Sequence, residues 1–395
     1  MITAIVFIAV LSLLVFVHEL GHFLVAKKLG IRVDEFGFGI PPRIFGKKVG
    51  ETIYSLNLLP IGGFVKLFGE DEESHFTTGS HKENLKRAFF SRPKWQRTVV
   101  LLAGVAMNFL LAISAFYTFL FVSNFKTDLP LVTKYRFFLA NQADYNVDKP
   151  ELVVSYVSPG SPAENTGMKA PFKILSITGQ KVEDQTSFKN IVDKYRGKEF
   201  AIEWQELKTG RSVTGKIIPR ITPPKNEGAL GVAFFPMAII SFDTLPQKLF
   251  SGITYSINFL FYTLKILGDL IALSFEERTV GPVGESVSGP LGIASIIGAV
   301  LQIPDIKEKI TQMLNLVGML SISLAFFNVL PIPALDGGRL LFIGIEAVIG
   351  KRVKPKVEAI THQVGFLLLI ILLILISYND LLRNNLIEKF KNLFP

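Results

Sequence analysis

The 395-residue chain contains no cysteine. Disulfides and thiolate metal sites are excluded, so any metal centre must be built from His, Asp or Glu. Histidine is scarce too, with five in all, and two of them at close spacing therefore carry weight. Charge is low: Asp, Glu, Lys and Arg make up 19% of the chain, against about a quarter in ordinary soluble domains. Hydrophobic residues fill the gap at 49%, including 34 Phe, and mean hydropathy is +0.41. This composition implies several membrane spans. The net charge of +9 would suit a nucleic-acid binder. However, the basic residues form no stripe interleaved with aromatics and gather in loops beside apolar segments. The lipid bilayer accounts for them, and nucleic acid is not an expected partner.

Four apolar runs read as core spans: residues 2–24, 99–122, 311–330 and, as an apolar centre, 364–378. The first lacks a basic leader and a small-residue cleavage site, so it reads as a retained span rather than a signal peptide. Residues 249–275 carry Lys265 and Asp269 and are expected as a membrane-associated helix, while 290–303 is too short to cross. Basic residues crowd the stretch from Lys27 to Arg97 and recur at Arg339, Lys351, Arg352, Lys354 and Lys356. Both loops are expected in the cytoplasm, with the termini and residues 124–248 outside. Within residues 125–224, the segment 151–220 alternates β-type runs (LVVSYV, FKILSIT, FAIEWQEL, SVTGKIIP) with one helical stretch, SFKNIVDKYR. It reads as a small folded domain. Pro223-Pro224 is expected to open a linker, leaving 225–310 as linker and membrane-associated helices and 311–395 as a C-terminal membrane half.

Inside the first span, residues 15–28 read VFVHELGHFLVAKK. His18 and His22 stand one turn apart on one helix face, a spacing at which two imidazoles hold one zinc ion. Glu19 lies beside them, placed to take a proton from water activated by that ion. Ionisable groups within spans are rare and usually functional, so a polar packing seam is a costly alternative. Lys27 lies nine residues past His18, roughly 13 Å of helix, which puts this chemistry toward the cytoplasmic face. A catalytic zinc normally takes three protein ligands and keeps one position open. The leading third candidate is Asp336, in NVLPIPALDGGRL, residues 328–340. There Pro331 and Pro333 prevent regular helix, and Gly337 and Gly338 permit close backbone approach. Read alone, Asp336 is also a candidate helix N-cap. His75, His81 and His362 are rival ligands.

HELGH in the first span, together with N-x-x-P-x-P-x-L-D-G-G, resembles the site-2 protease family of intramembrane zinc metalloproteases, in its RseP-like bacterial branch. The resemblance covers nearly the whole chain. It implies a polytopic α-helical membrane protein with about four core transmembrane helices, a membrane-associated β-hairpin and one extracytoplasmic PDZ-like α+β domain. It implies Zn2+ held by His18, His22 and Asp336, Glu19 as catalytic base, and Asn328 as a substrate contact. GVAMN, residues 104–108, is similar to the family's G-x-x-x-N motif, with Gly104 for close helix approach and Asn108 near the site or substrate. ETIYSLNLLPIGGFVKLFG, residues 51–69, resembles its re-entrant hairpin, whose edge near Gly62 and Gly63 would pair with an unwound substrate. Residues 151–220 resemble one PDZ domain where that branch has two, with Pro171-Phe172 in place of the usual Gly-Asp. The implied partners are transmembrane substrates (anti-sigma factors or signal-peptide remnants), and a peptide ligand for the PDZ-like domain. The implied location is a bacterial inner membrane. The rival classes are a catalytically silent scaffold and a metal transporter.

Overall fold

The computed structural model describes residues 2–70, 85–147, 152–224, 227–276 and 288–383. The chain forms two compact units, one from Met1–Phe119 with Tyr255–Pro395, the other Leu120–Thr254.

The first unit opens with helix α1, Ile2–Lys28. At 1.5 Å per residue its 27 residues run about 40 Å, longer than the roughly 30 Å hydrocarbon core of a bilayer. It is apolar almost all round, yet the buried residues include Ser12, His18 and His22. The polar groups face protein, together with Val10, Leu14 and Phe23, while Ile2, Ile5, Leu13 and Leu24 are exposed.

Strands β1 (Val33–Val49) and β2 (Thr52–Leu67) follow. The sheet they form is larger than a 51–69 hairpin. The tight turn between the strands lies at Gly50-Glu51, where Val49 pairs with Thr52, and Gly62, at φ 76°, ends the stretch in which β2 reverses between its two pairings with β1. Residues 35–38 pair on both sides: Phe36 meets Tyr54 on one and Val65 on the other. The stretch Gly63–Leu67 is thereby an outer strand. Ile44, Phe45, Leu56, Leu58, Leu59 and Ile61 are all exposed, a pattern suited to lipid rather than water. The sheet packs on α1, with Phe36 5.5 Å from Phe16 and stacked 4.8 Å from Phe23, ring centre to ring centre. Its turn is held by Glu51, which accepts two 2.7 Å bonds from Arg87 and one of 3.1 Å from Lys27. Arg87 above all, then Lys27, holds the Glu51 carboxyl down to about 2. Helix α2, Lys94–Val122, completes this half.

Among the described residues, the second unit forms three sheets. β3 (Lys126–Pro130) and β4 (Asn141–Tyr145) flank β12 (Met237–Ser241). Between them in sequence come β5 (Val153–Val154), β6 (Tyr156–Val157), helix α3 (Pro162–Asn165), β7 (Phe172–Ile177), β8 (Gln180–Lys181), helix α4 (Gln185–Lys194), β9 (Phe200–Glu206), β10 (Ser212–Ile217) and β11 (Val232–Ala233). The five-stranded sheet runs β10-β9-β7-β5, with β8 on β7, and β11 pairs with β6. Ser161 caps α3 and Asp184 caps α4 through their side chains. Phe172, Ile174, Ile202 and Trp204 fill the core. The unit does not stop at Pro223-Pro224: β11 and β12 return to it, and the expected linker is part of the fold.

The chain then re-enters the first unit through α5 (Leu245–Glu276), α6 (Pro290–Gln302), α7 (Ile306–Val329), α8 (Asp336–Ile349) and α9 (Pro355–Arg383). Among the described residues, five helices, α1, α2, α5, α7 and α9, are long and apolar enough to cross a membrane. The fifth candidate beyond the expected four is α5. Its two interior charges, Lys265 and Asp269, pair at 3.6 Å one turn apart, which lowers the cost of placing them in lipid. A further difference is α8: sequence places a basic loop where the structure has a 14-residue helix.

Candidate metal centre

His18 and His22 project from the buried stripe of α1, 7% and 5% exposed. α2 crosses beside them at Gly104. A Cβ there would lie 2.7 Å from His18 Cε1 and press on the His22 ring, so only glycine leaves both rings in place. His22 Nδ1 lies 2.8 Å from the Val100 carbonyl oxygen. That oxygen can only accept, so the proton sits on Nδ1 and Nε2 offers a lone pair. Nε2 of His18 is 3.1 Å away.

Asp336 arrives from the far end of the sequence. The loop after α7 turns back over the first turn of α8 because two glycines permit it. A Cβ on Gly337 would sit 2.6 Å from the Leu330 carbonyl carbon, and one on Gly338 2.6 Å from the Ile332 oxygen. Ala334 holds a left-handed backbone, φ 77°, and its N–H donates to His362 Nδ1 at 2.9 Å. His362 thus ties the loop to α9 rather than joining the ligands. His75 and His81 lie outside the described residues. The N-cap of α8 is Leu335, so Asp336 is not a cap. Its Oδ2 lies 2.9 Å from His18 Nε2 and 3.2 Å from His22 Nε2.

The donor set fits a metal. One ligand atom each from His18, His22 and Asp336 falls within 4.8 Å of the others. Asp336 Oδ2 is buried without a hydrogen-bond donor, and His22 turns a lone pair toward it. Buried acceptors converging in this way call for a cation among them. Two imidazoles and a hard oxygen suit a divalent one.

Glu19 Oε2 accepts from the Val65 backbone N–H at 3.1 Å. With His22, Phe64–Leu67, Asp336 and Arg339 it lines a cavity of about 400 Å³. Gly63 is close: a Cβ there would stand 3.9 Å from Glu19 Cγ. Asn108 is fully buried, its amide 3.3 Å from His18 Nδ1. Gly62, at φ 76°, instead donates to Ser12 Oγ at 3.3 Å. Asn328 is buried in the last turn of α7, and neither it nor Gly62 lines the cavity. The structure thus gathers His18, His22, Asp336, Glu19, Gly63 and Asn108 and leaves Asn328 and Gly62 aside. Sequence reasoning missed Val65 and Val100, which act through backbone atoms and leave no side-chain signal. It also missed Arg339, which pairs with Glu70 at the cavity wall. Its position one turn beyond Asp336 was the available clue.

A sequence profile of peptidase family M50 matches residues 6–372. The chain belongs to family M50. The zinc metalloprotease RasP of Geobacillus kaustophilus is 29% identical over 448 residues, covering 95% of this chain and 96% of that protein. RasP of Oceanobacillus iheyensis is 26% identical over 456 residues, covering 97% and 99%. A relative in Clostridium perfringens is 31% identical over 371 residues, covering 94% and 96%. Membership of M50, with the converging His18, His22 and Asp336 on apolar helices, makes this chain a membrane metalloprotease.

Proposed function

We propose that this M50 peptidase uses Zn2+ to cut peptide bonds within the spans of single-span membrane proteins. The observation that carries the proposal is the setting of Glu19. It lies between the three converging ligand atoms and a backbone N–H on the outer strand of a lipid-suited sheet. When bound, zinc supplies Lewis acidity, acidifying a water and polarising the scissile carbonyl. Glu19 takes the proton from that water and delivers it to the leaving amine. Helical peptide bonds are hydrogen-bonded internally and must unwind first. The Gly63–Leu67 edge accepts the unwound segment as an added strand and replaces those bonds. Asn108 orients the His18 ring, and Asn328 and Gly62 contact more distant parts of the substrate.

Residues 151–220, within the unit Leu120–Thr254, read as an extracytoplasmic PDZ-like domain, a reading supported by their capped short helices beside an antiparallel sheet. Phe172, of the unusual Pro171-Phe172 pair, is fully buried near Trp204, so the departure serves the core. The domain admits substrates already trimmed outside, such as anti-sigma factors or signal-peptide remnants. The basic loops at 27–97 and 339–356 support a bacterial inner-membrane setting with the active site toward the cytoplasm.

The test is Glu19→Gln, which keeps shape and removes the base. The variant is expected to hold zinc at wild-type level and lose cleavage of a single-span substrate in liposomes by about 10²–10⁴-fold. Equal cleavage at matched zinc content would remove Glu19 from the mechanism.

A further inference from the structure

Within the second unit, the end of α2 and the start of α5 join the same end of the β3-β12-β4 sheet. Lys126 opens β3 just past Val122, the last residue of α2, and Ser241 closes β12 just before Leu245, the first of α5. Register pairs Ser241 with Lys126 on one side and Asn141 on the other. The row Lys126–Ser241–Asn141 is therefore the end that adjoins both helices. The β3-β4 loop leaves from the opposite end, where the Leu131 N–H donates to the Pro236 carbonyl at 2.8 Å. It then returns to this row.

The returning turn carries Phe138, 42% exposed, and Leu139, 71% exposed. Leu139 also holds a left-handed backbone, φ 54°, which costs a bulky residue conformational energy that glycine or asparagine would be spared. Exposed apolar surface and an unfavourable backbone at one residue point to a contact made there. The turn is held firmly. The Gln142 side chain accepts from the Phe137 N–H at 2.8 Å and donates to the Tyr135 carbonyl at 3.0 Å. Phe137 is buried edge-on to Tyr135, 5.4 Å between ring centres. Lys134 and Arg136, both exposed, lie on the same loop.

We propose that the Phe138-Leu139 turn is a lipid-inserting foot. It enters the headgroup–acyl boundary of the leaflet where α2 ends and α5 begins, with Lys134 and Arg136 over phospholipid phosphates. It pins the three-stranded sheet to the bilayer surface independently of the spans.

The absence of native cysteine makes the test direct. Phe138→Cys and Leu139→Cys are labelled separately with an environment-sensitive fluorophore, in full-length protein in vesicles of phosphatidylcholine and phosphatidylglycerol. Ile221→Cys, at an exposed site of the same unit (72%), is the reference. The expected result is blue-shifted emission at 138 or 139 and quenching by shallow spin-labelled lipid, both stronger than at 221. Lys134→Gln with Arg136→Gln should weaken the quenching in phosphatidylglycerol vesicles. Water-like emission at both 138 and 139, matching 221, would overturn the proposal. So would a blue shift that arises only on adding a single-span substrate, which would make the turn a protein contact.

Discussion

Gly104 has no side chain, and the metal centre depends on that. A methyl group there would stand 2.7 Å from the His18 ring and press on His22, while His22 is fixed from behind by the Val100 carbonyl. The rings cannot both yield, so Gly104→Ala should weaken zinc binding about 10–100-fold, as loss of other ligand-orienting contacts does. Helical content should be unchanged. Metal analysis after dialysis against a graded chelator, with circular dichroism alongside, checks this; wild-type retention would mean that α1 and α2 separate freely. At this scale the sequence was largely legible. His18, Glu19 and His22 carry their geometry in their spacing, and Asp336 was found through the chemistry it completes. Atoms that act through the backbone, at Val65 and Val100, were not legible.

Among the elements, the β1-β2 sheet was half visible. β2 has β-prone residues, but β1 reads GFGIPPRIFGKK, where glycines and Pro41-Pro42 erase the alternation that marks a strand. Its pairing is set by tertiary packing on α1. The turn has its own electrostatic lock. The folded Glu51 carboxyl is held at about 2, below its ordinary 4.5, so it stabilises the fold fully above about pH 4.5. That contribution fades as pH falls toward 2. The group is partly exposed, so the effect is at most about 1 kcal/mol. Glu51→Gln should lower the melting temperature slightly at pH 6–7, with the gap to wild type closing as pH drops through 4 to 2. A gap that persists at pH 2 would assign the loss to packing. The β3-β12-β4 sheet left no local signal, because its strands lie at 126–130, 141–145 and 237–241 and meet only in the fold.

For the molecule as a whole, contacts within the first unit sort its helix ends into two sets. Gly298 of α6 lies near Thr3 at the start of α1, and Asp380 near the end of α9 accepts from the Gly292 N–H at 2.8 Å. At the other pole, Lys94 and Arg97 at the start of α2 bind Glu346 of α8, at 3.1 and 2.6 Å. Crossings by α1, α2, α7 and α9 satisfy both sets. A crossing by α5 would have to be reversed before α6 begins. We therefore predict that single cysteines at Asn190 and Glu276 react with an impermeant maleimide from the same side, and one at Lys351 only after the membrane is opened. Labelling of Glu276 together with Lys351 would make α5 a true span.

Val65 has one backbone N–H and two claimants. At rest, Glu19 holds it. A substrate laid along the outer strand as a new neighbour needs the same donor to close its ladder. If the segment docks as proposed above, it displaces the carboxylate, which is left beside the metal ligands without that partner. In that reading, arrival of a target and release of Glu19 are a single event. Under that proposal the enzyme idles safely: surrounded by the helices of its neighbours, it stays inert toward any that cannot first come undone into a strand.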